Sequence, residues 1–530
     1  MPSILGTSVL RREDRGFLTD GATYTADLDD SRLDGAVHAT YVRSTMAHAD
    51  VTVDATGAFS MPGVVAVFTA EDLDGPTVLP GVVPVFAEPI LNRPLLAGDR
   101  VRFVGEPVAV VLTEHPSQGE DAAEAVFVDY DPRPAVVDPE EAATDAAVVF
   151  EDVGTNVSVD FAAFGMATGH SDDAFFSDCD FVVSGRVAQP RTASAPLEVR
   201  SAACTWEDGR IILWISNQNP HGVRDALAGL YGEAAPEGIR VLVADVGGGF
   251  GAKIAPYPEE ALLPWLSMKV GRPVRWFENR TENMNAVGPG RGHIHHFMLG
   301  GTSAGDLTHY RLDVLVDGGA YARIGAFLPM FTLPMTVGVY DIPNVETAAR
   351  SVVTNTTPLE AYRGAGRPEA TLTIERAVDM FATEARGLAF LAEPAVPDLS
   401  IPEVLAVGER FLALELMEPG PCPPDFDERL GRALARLHQS SPGTFGLDHD
   451  NYIGRLPQPN GPRDDWATFY RDQRLEPQLA MAERKGLADR GLRERFERLY
   501  ASLPHRVGPP EPPARLHGDL WSGNIGSVDG

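Results

Sequence analysis

Cysteine is scarce in this chain of 530 residues, which has only Cys179, Cys204 and Cys422. They lie far apart in the sequence, and no two of them form a CxxC pair. Iron–sulfur clusters and structural zinc sites need closely spaced thiolates, and small disulfide-stapled domains need more cysteines. The composition therefore argues against these classes and favours a protein of a reducing compartment.

Basic residues and long apolar runs are also in short supply. Lysine and arginine total 44 against 75 aspartates and glutamates, which gives a formal net charge of −31. Nucleic acids and anionic membranes attract basic patches, so we expect neither as a partner. No apolar run is long enough to span a bilayer, and the start shows no basic segment followed by an apolar one. We expect a soluble, cytoplasmic chain of roughly two to four domains.

A glycine-rich loop follows the apparent strand Ile239–Val246, where residues 245–251 read DVGGGFG. Glycines in this position let the backbone N–H groups face an anion. The loop also matches the spacing of a dinucleotide-binding fingerprint. The next predicted helix, however, begins only at Pro258 and ends at Gly271, about two turns later than a dinucleotide site requires. A dinucleotide site, another anion-binding loop and a plain glycine bend at a sheet edge all remain open.

His293 and His295 are two residues apart in a predicted strand and would share one face of it. Such a pair can bind a metal ion, but the sequence places no third ligand beside it. A solvated strand face is the favoured interpretation.

The character of the sequence changes near residues 380–386, from glycine-rich β segments to arginine- and leucine-rich helices. Leucines at helical spacing predict a helix over Asp427–His438 and a second helical stretch over Leu475–Leu503. A short strand is predicted at 514–516. The string HGDLWSGN then begins at residue 517.

The spacing of Asp519 and Asn524 matches a kinase catalytic loop. In such a loop Asp519 would orient or deprotonate the acceptor hydroxyl, and Asn524 would hold magnesium. The alternative is an Asx-rich turn after a strand.

Two series of motifs resemble known families. The first is similar to the large subunits of xanthine dehydrogenases, aldehyde oxidases and aerobic carbon monoxide dehydrogenases, and that likeness overrides the dinucleotide interpretation. It rests on YVRS at 41–44, RVRFVGEP at 100–107, SNQ at 216–218, DVGGGFG at 245–251, YPEE at 257–260 and AYRGAGRPE at 361–369. It implies an α/β-hammerhead domain over residues 1–135 and the first molybdopterin-binding domain over 136–381.

This resemblance also implies a site. Gln218 would approach the molybdenum centre, and Gly248, Gly249, Phe250 and Gly251 would cradle the cofactor. Arg363 would also bind the molybdopterin cofactor, from a loop on the substrate side. The small-molecule substrate would be an aldehyde, an N-heterocycle or a molecule like carbon monoxide. Ile254 follows Lys253 where purine-oxidising members carry glutamate, and residues 364–366 lack the cysteine of carbon monoxide enzymes. An aldehyde or N-heterocycle is therefore favoured, with flavin and iron–sulfur groups on separate partner subunits.

The second series resembles fructosamine and ketosamine 3-kinases over residues 382–530. It rests on EARGLAFL at 384–391, LALEL at 412–416, DHDNY at 448–452 and DDWATFY at 464–470. The resemblance implies ATP and Mg²⁺ as cofactors, with Glu415 to Met417 as the adenine hinge and Glu384 as the partner of an ATP-binding lysine.

The combined prediction is an α+β multidomain chain: a hammerhead domain, the first half of a molybdopterin-binding region, and a mostly helical, kinase-like lobe that is partial. We expect the later molybdopterin half, the kinase lysine strands and a second magnesium-binding aspartate to be missing. Three hypotheses follow. The chain is an inactive chimera, a molybdenum hydroxylase completed by partner chains, or a non-catalytic module that docks onto other subunits.

Overall fold

The computed structural model describes residues 11–81, 88–171, 173–302, 306–408, 411–415, 417, 419–440, 442–448, 450–453, 456–484, 487–508, 511–516 and 527–528. The chain divides into two compact units. The first comprises residues 1–175, 184–298 and 310–374, and the second comprises 176–183, 299–309 and 375–530.

Strands are the commonest regular elements up to residue 352. They are β1 Val37–Arg43, β2 Ala49–Asp54, β3 Val64–Thr69, β4 Arg100–Val101, β5 Pro107–Thr113, β6 Phe127–Pro132, β7 Val157–Asp160, β8 Phe181–Gln189, β9 Ser201–Glu207, β10 Arg210–Ile215, β11 Ile239–Leu242, β12 Val274–Phe277, β13 His293–Gly301, β14 Leu307–Asp317 and β15 Asn344–Val352. Helices within the same span are α1 Asp14–Thr19, α2 Gly119–Glu124, α3 Pro139–Ala142, α4 Pro220–Tyr231, α5 Pro258–Val270, α6 Arg280–Ala286 and α7 Pro329–Thr332.

One seven-stranded sheet has the order β11-β10-β9-β12-β1-β5-β3. Its centre is the parallel pairing of β1 with β12, in which Val37 lies opposite Val274. Strand β5 lies between β1 and β3, and all seven of its residues are buried. Strands β1, β3 and β5 of the predicted hammerhead segment therefore share one sheet with strands of the following segment.

Two smaller sheets complete this part of the fold. Strands β4, β2 and β6 form a three-stranded sheet, and the order β7-β15-β14-β13-β8 forms a five-stranded one. In the first of these, β2 pairs antiparallel with both neighbours.

Helix α5 has the bounds that the sequence predicted. Pro258 occupies its first position, and Gly271 ends it in the left-handed conformation at φ 63°. Every residue from Pro258 to Ser267 is buried, so the helix has no solvent face along its first turns. Trp265 packs edge-on against Phe68 at 5.0 Å between ring centres, which fixes the helix on the seven-stranded sheet.

The remaining elements lie mostly in the second unit. They are α8 Arg367–Ala392, α9 Phe426–Gln439, α10 Trp466–Tyr470, α11 Glu476–Arg484 and α12 Arg490–Arg506, with the short strands β16 Val404–Gly408, β17 Phe411–Leu414, β18 Pro419–Gly420, β19 Asn451–Ile453, β20 Leu456–Gln458 and β21 Ser527–Val528. Helix α9 confirms the prediction for Asp427–His438, and its buried residues Ala433 and Leu437 are four positions apart.

Two predictions for the second unit were wrong. The single helical stretch over 475–503 is two helices, because the Asp489 side chain accepts from the Leu492 N–H at 2.7 Å and begins α12 there. Residues 514–516 are irregular and not a strand. The guanidinium of Arg515 instead lies 4.2 Å from the ring centre of Phe390 and pairs with Glu393. Among the described residues, no helix has both the length and the apolar character to cross a bilayer.

Candidate functional site

The glycine loop after β11 passes very close to other backbone. Gly248 and Gly251 adopt φ values of +102° and +110°, which side chains other than glycine rarely tolerate. A Cβ atom on Gly251 would lie 2.5 Å from the carbonyl oxygen of Ala361, and one on Gly249 would lie 2.4 Å from Gln218 Oε1. Phe250 also has positive φ, at 54°, and its side chain is 41% exposed. The loop is therefore shaped by contacts that only glycine permits.

Gln218 is exposed and forms hydrogen bonds with this loop on one side. Its Oε1 atom accepts from the Gly251 N–H at 2.9 Å, and its own N–H donates to the Lys253 carbonyl at 2.8 Å. The loop that contains Arg363 contacts the glycine loop on another side, where the Arg363 N–H donates to the Phe250 carbonyl at 2.8 Å. The structure thus brings together the three features that the sequence singled out.

Beneath the loop, the buried Lys253 forms an ion pair with the half-buried Glu198. Lys253 Nζ contacts the carboxylate of Glu198 at 3.0 Å and the hydroxyl of Ser216 at 2.9 Å. The same carboxylate oxygen of Glu198 accepts from the Gly247 N–H at 2.7 Å. Burial lowers the pKa of Lys253, whereas Glu198 opposes that shift. The pair anchors the start and the end of the loop, and sequence reasoning gave it no such role.

Arg291 is a second residue that sequence reasoning missed. Its guanidinium donates to the carbonyls of Tyr362 and Arg363 at 2.9 and 2.8 Å and pairs with Glu369 at 3.0 Å. It thereby fixes the loop that carries the exposed Arg363 side chain. The available signal was an arginine between two glycines, Gly290 and Gly292, and Arg291 itself has a positive φ of 66°.

Behind these loops is a largely buried network of charged side chains. Arg200 contacts Glu278 at 2.6 Å and Glu259 at 3.3 Å, and Arg43 contacts Glu259 at 2.7 Å. Burial alone would raise the pKa of Glu259, yet the guanidinium groups of Arg200 and Arg43 hold it well below its ordinary value. The neighbouring Glu260 behaves oppositely, because burial raises its pKa to about 7. The network holds the first turn of α5 against the sheet.

The glycine loop has backbone N–H groups that could donate hydrogen bonds to an anion. Among the described residues, the N–H groups of Gly248, Gly249 and Phe250 donate to no acceptor. Free backbone donors beside an exposed amide and an exposed guanidinium fit a group with oxo and phosphate oxygens. The site residues present are therefore chemically suited to an anionic cofactor.

The histidine pair differs from the expected solvated face. His293 and His295 are both fully buried, with 3.3 Å between His293 Nδ1 and His295 Nε2. His295 also contacts the Thr373 hydroxyl at 2.7 Å. Burial lowers the pKa of His293 to about 3, so the imidazole is neutral. The shared face was predicted correctly, but strand spacing cannot tell which face meets the core.

Of the five predicted kinase residues, only Glu415 and Met417 have side chains among the described residues. Asp519 and Asn524 lie outside the described residues, and so does the side chain of Glu384 within α8. Glu415 is exposed, and its N–H donates to the Glu403 carbonyl at 2.9 Å, whereas Met417 is half-buried. The described residues therefore bring no predicted pair of kinase residues together.

Family models account for nearly the whole chain. Residues 20–134 match the a/b hammerhead domain of aldehyde oxidase and xanthine dehydrogenase, and residues 149–387 match the molybdopterin cofactor-binding domain. Residues 371–530 match fructosamine kinase. The chain is a chimera of two enzyme families. The two matches overlap inside the single helix α8, which runs from Arg367 to Ala392.

Individual relatives agree with the first family. The chain is 35% identical over 387 residues to the nicotine 6-hydroxylase large subunit of Paenarthrobacter nicotinovorans, covering 71% of this chain and 46% of that one. It is 33% identical to the carbon monoxide dehydrogenase large chain of Hydrogenophaga pseudoflava, covering 70% and 47%. Quinoline 2-oxidoreductase from Pseudomonas putida 86 shares the fold with a TM-score of 0.66 at 33% identity, covering 72% and 49%.

The chimera spans about half the length of these relatives. A different proportion holds for the nicotinate dehydrogenase large molybdopterin subunit of Eubacterium barkeri, which is 27% identical over 377 residues. There the match covers 70% of this chain and 84% of the relative. A molybdopterin subunit whose length corresponds mainly to this N-terminal region therefore exists as a protein in its own right.

Proposed function

We propose that the N-terminal region is the cofactor-binding half of a molybdenum hydroxylase, and that a second chain supplies the other half. The observation that carries this is the glycine loop, with its unpaired backbone donors between Gln218 and Arg363. The length of the Eubacterium barkeri subunit supports the division into two chains. Flavin and iron–sulfur subunits would be further partners, since two of the relatives are named as subunits of larger enzymes.

In this proposal the chain's own residues bind and orient. The N–H groups of the glycine loop would hold the anionic face of the cofactor, Gln218 would fix the loop, and Arg363 would bind the cofactor from the substrate side. The cofactor, once bound, would supply the oxygen transfer from water to substrate. The Lys253–Glu198 pair and Arg291 would keep both loops in place.

We propose an aromatic N-heterocycle as the substrate, in preference to an aldehyde. Nicotine 6-hydroxylase and quinoline 2-oxidoreductase, at 35% and 33% identity, are both named for such substrates. Ile254 and residues 364–366 depart from the purine and carbon monoxide patterns, which agrees with this choice.

The test is the molybdenum and pterin content of the chain purified from a host that makes the cofactor, with and without a co-expressed second half taken from a relative. Arg363→Gln should reduce the cofactor content roughly 10- to 100-fold, as expected when a charged hydrogen bond worth about 1.5–3 kcal/mol is lost. The Arg363 side chain is exposed, so the fold should survive. Arg224→Gln, an exposed arginine of helix α4, is the matched control and should keep full content.

A chain without molybdenum even beside a second half would contradict the proposal and favour an inactive chimera. A metal-free chain that still co-purified with flavin or iron–sulfur subunits would instead favour a docking module. Both results are readable without a turnover assay.

The fructosamine kinase region supports a second, separate proposal. We propose that it transfers phosphate from ATP, with Mg²⁺ bound, to a ketosamine, with Asp519 as the base, Asn524 as a magnesium ligand, Glu415 and Met417 at the adenine and Glu384 near the phosphates. Its support is the family match over residues 371–530. Phosphoryl transfer by the full chain should disappear in Asp519→Asn, and no transfer by the unaltered chain would overturn the proposal.

A further inference from the structure

Asp178, Cys179 and His309 come together in the second unit, far from the glycine loop in the sequence. One ligand atom from each of the three lies within 4.8 Å of the others. Cys179 Sγ is 3.2 Å from His309 Nδ1, and His309 Nε2 is 3.4 Å from a carboxylate oxygen of Asp178. Among the described residues this is the one group of three such side chains.

The surrounding structure positions the sulfur and the ring. A Cβ atom on Gly300 would lie 2.7 Å from Cys179 Sγ, so glycine leaves the space that the sulfur occupies against β13. The His309 ring is buried, with the ring of Phe176 6.0 Å away between centres. The Thr308 hydroxyl lies 2.9 Å from His309 Nδ1 and restrains the rotation of the ring. Only Asp178 is exposed and able to swing.

We propose that this cluster binds a divalent cation of the zinc class. Thiolate and imidazole ligands select borderline-soft ions over Mg²⁺ and Ca²⁺, which take oxygen ligands. In a tetrahedral zinc site, a sulfur and a nitrogen ligand lie about 3.6 Å apart. The observed 3.2 Å between Cys179 Sγ and His309 Nδ1 is close to that spacing.

The two contacts above involve different nitrogens of the His309 ring, and the ion would take only one of them, together with Cys179 Sγ and a carboxylate oxygen of Asp178. A water molecule would complete the coordination. On binding, the Cys179 S–H bond breaks, the proton leaves to solvent, and the sulfur–metal bond forms. Burial raises the pKa of the Cys179 thiol, so the metal-free side chain is a protonated thiol and not a reactive thiolate. Asp178 and Cys179 are adjacent in the chain, but His309 lies 130 residues later, so no closely spaced motif reveals the site.

The test uses cobalt(II), which reports thiolate ligation by a near-ultraviolet charge-transfer band. Titration of the metal-free full chain should give this band with one equivalent of cobalt, and zinc should displace it. Cys179→Ser should abolish the band, whereas Cys422→Ser, which removes an exposed cysteine, should leave it intact. A band that persists in Cys179→Ser, or none in the unaltered chain, would overturn the proposal.

Asp178→Asn provides a second variant that should fold, because the side chain is exposed. Loss of this ligand should weaken zinc affinity roughly tenfold or more, measured by competition with a chelating dye. Unchanged affinity would show that the carboxylate is not a ligand and that the three-residue site is wrong. Neither measurement depends on molybdenum, so the result is separate from the test of the hydroxylase proposal.

Discussion

The two units of this chain hold their charged side chains in opposite ways. In the first unit, Arg200 pairs with Glu278, and both side chains are 0% exposed. In the second, Arg490 and Glu494 pair one helical turn apart in α12, and the arginine is 92% exposed. A buried pair that loses one partner leaves a desolvated charge behind, whereas an exposed pair returns to water. Ion pairs with similar N–O distances in the two units are therefore expected to differ greatly in the stability lost when one partner is removed.

The largest effect is expected for Arg200→Met. The change leaves Glu278 and one side of Glu259 buried without their guanidinium, so the free energy of unfolding of the first unit should fall by about 3–5 kcal/mol. Urea unfolding followed by tryptophan fluorescence measures it, since Trp206, Trp214, Trp265 and Trp276 all lie in this unit. A loss below about 1 kcal/mol would show that the network relaxes or admits water.

An intermediate effect is expected for Glu260→Gln, and it depends on pH. Burial raises the pKa of Glu260 from 4.5 to about 7, so the folded unit disfavours the charged form. Stability should therefore fall as pH rises from about 4.5 to about 7, by on the order of 3 kcal/mol, and then level off.

Glutamine carries no charge, and it retains an oxygen that can accept from the Tyr257 N–H as Glu260 does at 2.9 Å. Unfolding at a series of pH values should thus give a flatter profile for the variant over this window. Parallel profiles for the two proteins would refute the assignment to Glu260.

The smallest effect is expected for Arg490→Ala. An exposed pair four residues apart on a helix contributes about 0.3–0.5 kcal/mol, and salt screens it. The melting temperature of the second unit should hardly change, and any change should vanish at high ionic strength. A loss comparable with that of Arg200→Met would remove the contrast between the two units.

The sequence predicted the bounds of single helices better than it predicted the contacts that individual side chains make. The bounds of α5 followed from Pro258 and Gly271, because both act on their own backbone. The helical region near 475–503 was found, yet its break at Asp489 was not. That break depends on one side chain accepting from a backbone N–H three residues later.

The site shows the same limit. Gln218, the glycine loop and Arg363 were grouped by family resemblance, and the structure brings them into contact. The supports beneath them, Lys253 with Glu198 and Arg291 with residues 362–369, join segments distant in the sequence. Nothing in local spacing encodes such pairs. For the same reason, the two-residue spacing of His293 and His295 predicted that they share a strand face, but it did not predict that this face is buried.

The parallel pairing of β1 with β12 has a consequence for how the protein is made. Val37 emerges from the ribosome long before its neighbour Val274. At about 5–20 residues per second, translation from β6 to β12 takes on the order of ten seconds, during which the nascent sheet has an open edge beside β1. Such an edge invites pairing with other chains, so chaperones should engage this protein early in synthesis. Once β12 has emerged the edge is closed, well before the sequence of the second enzyme family begins.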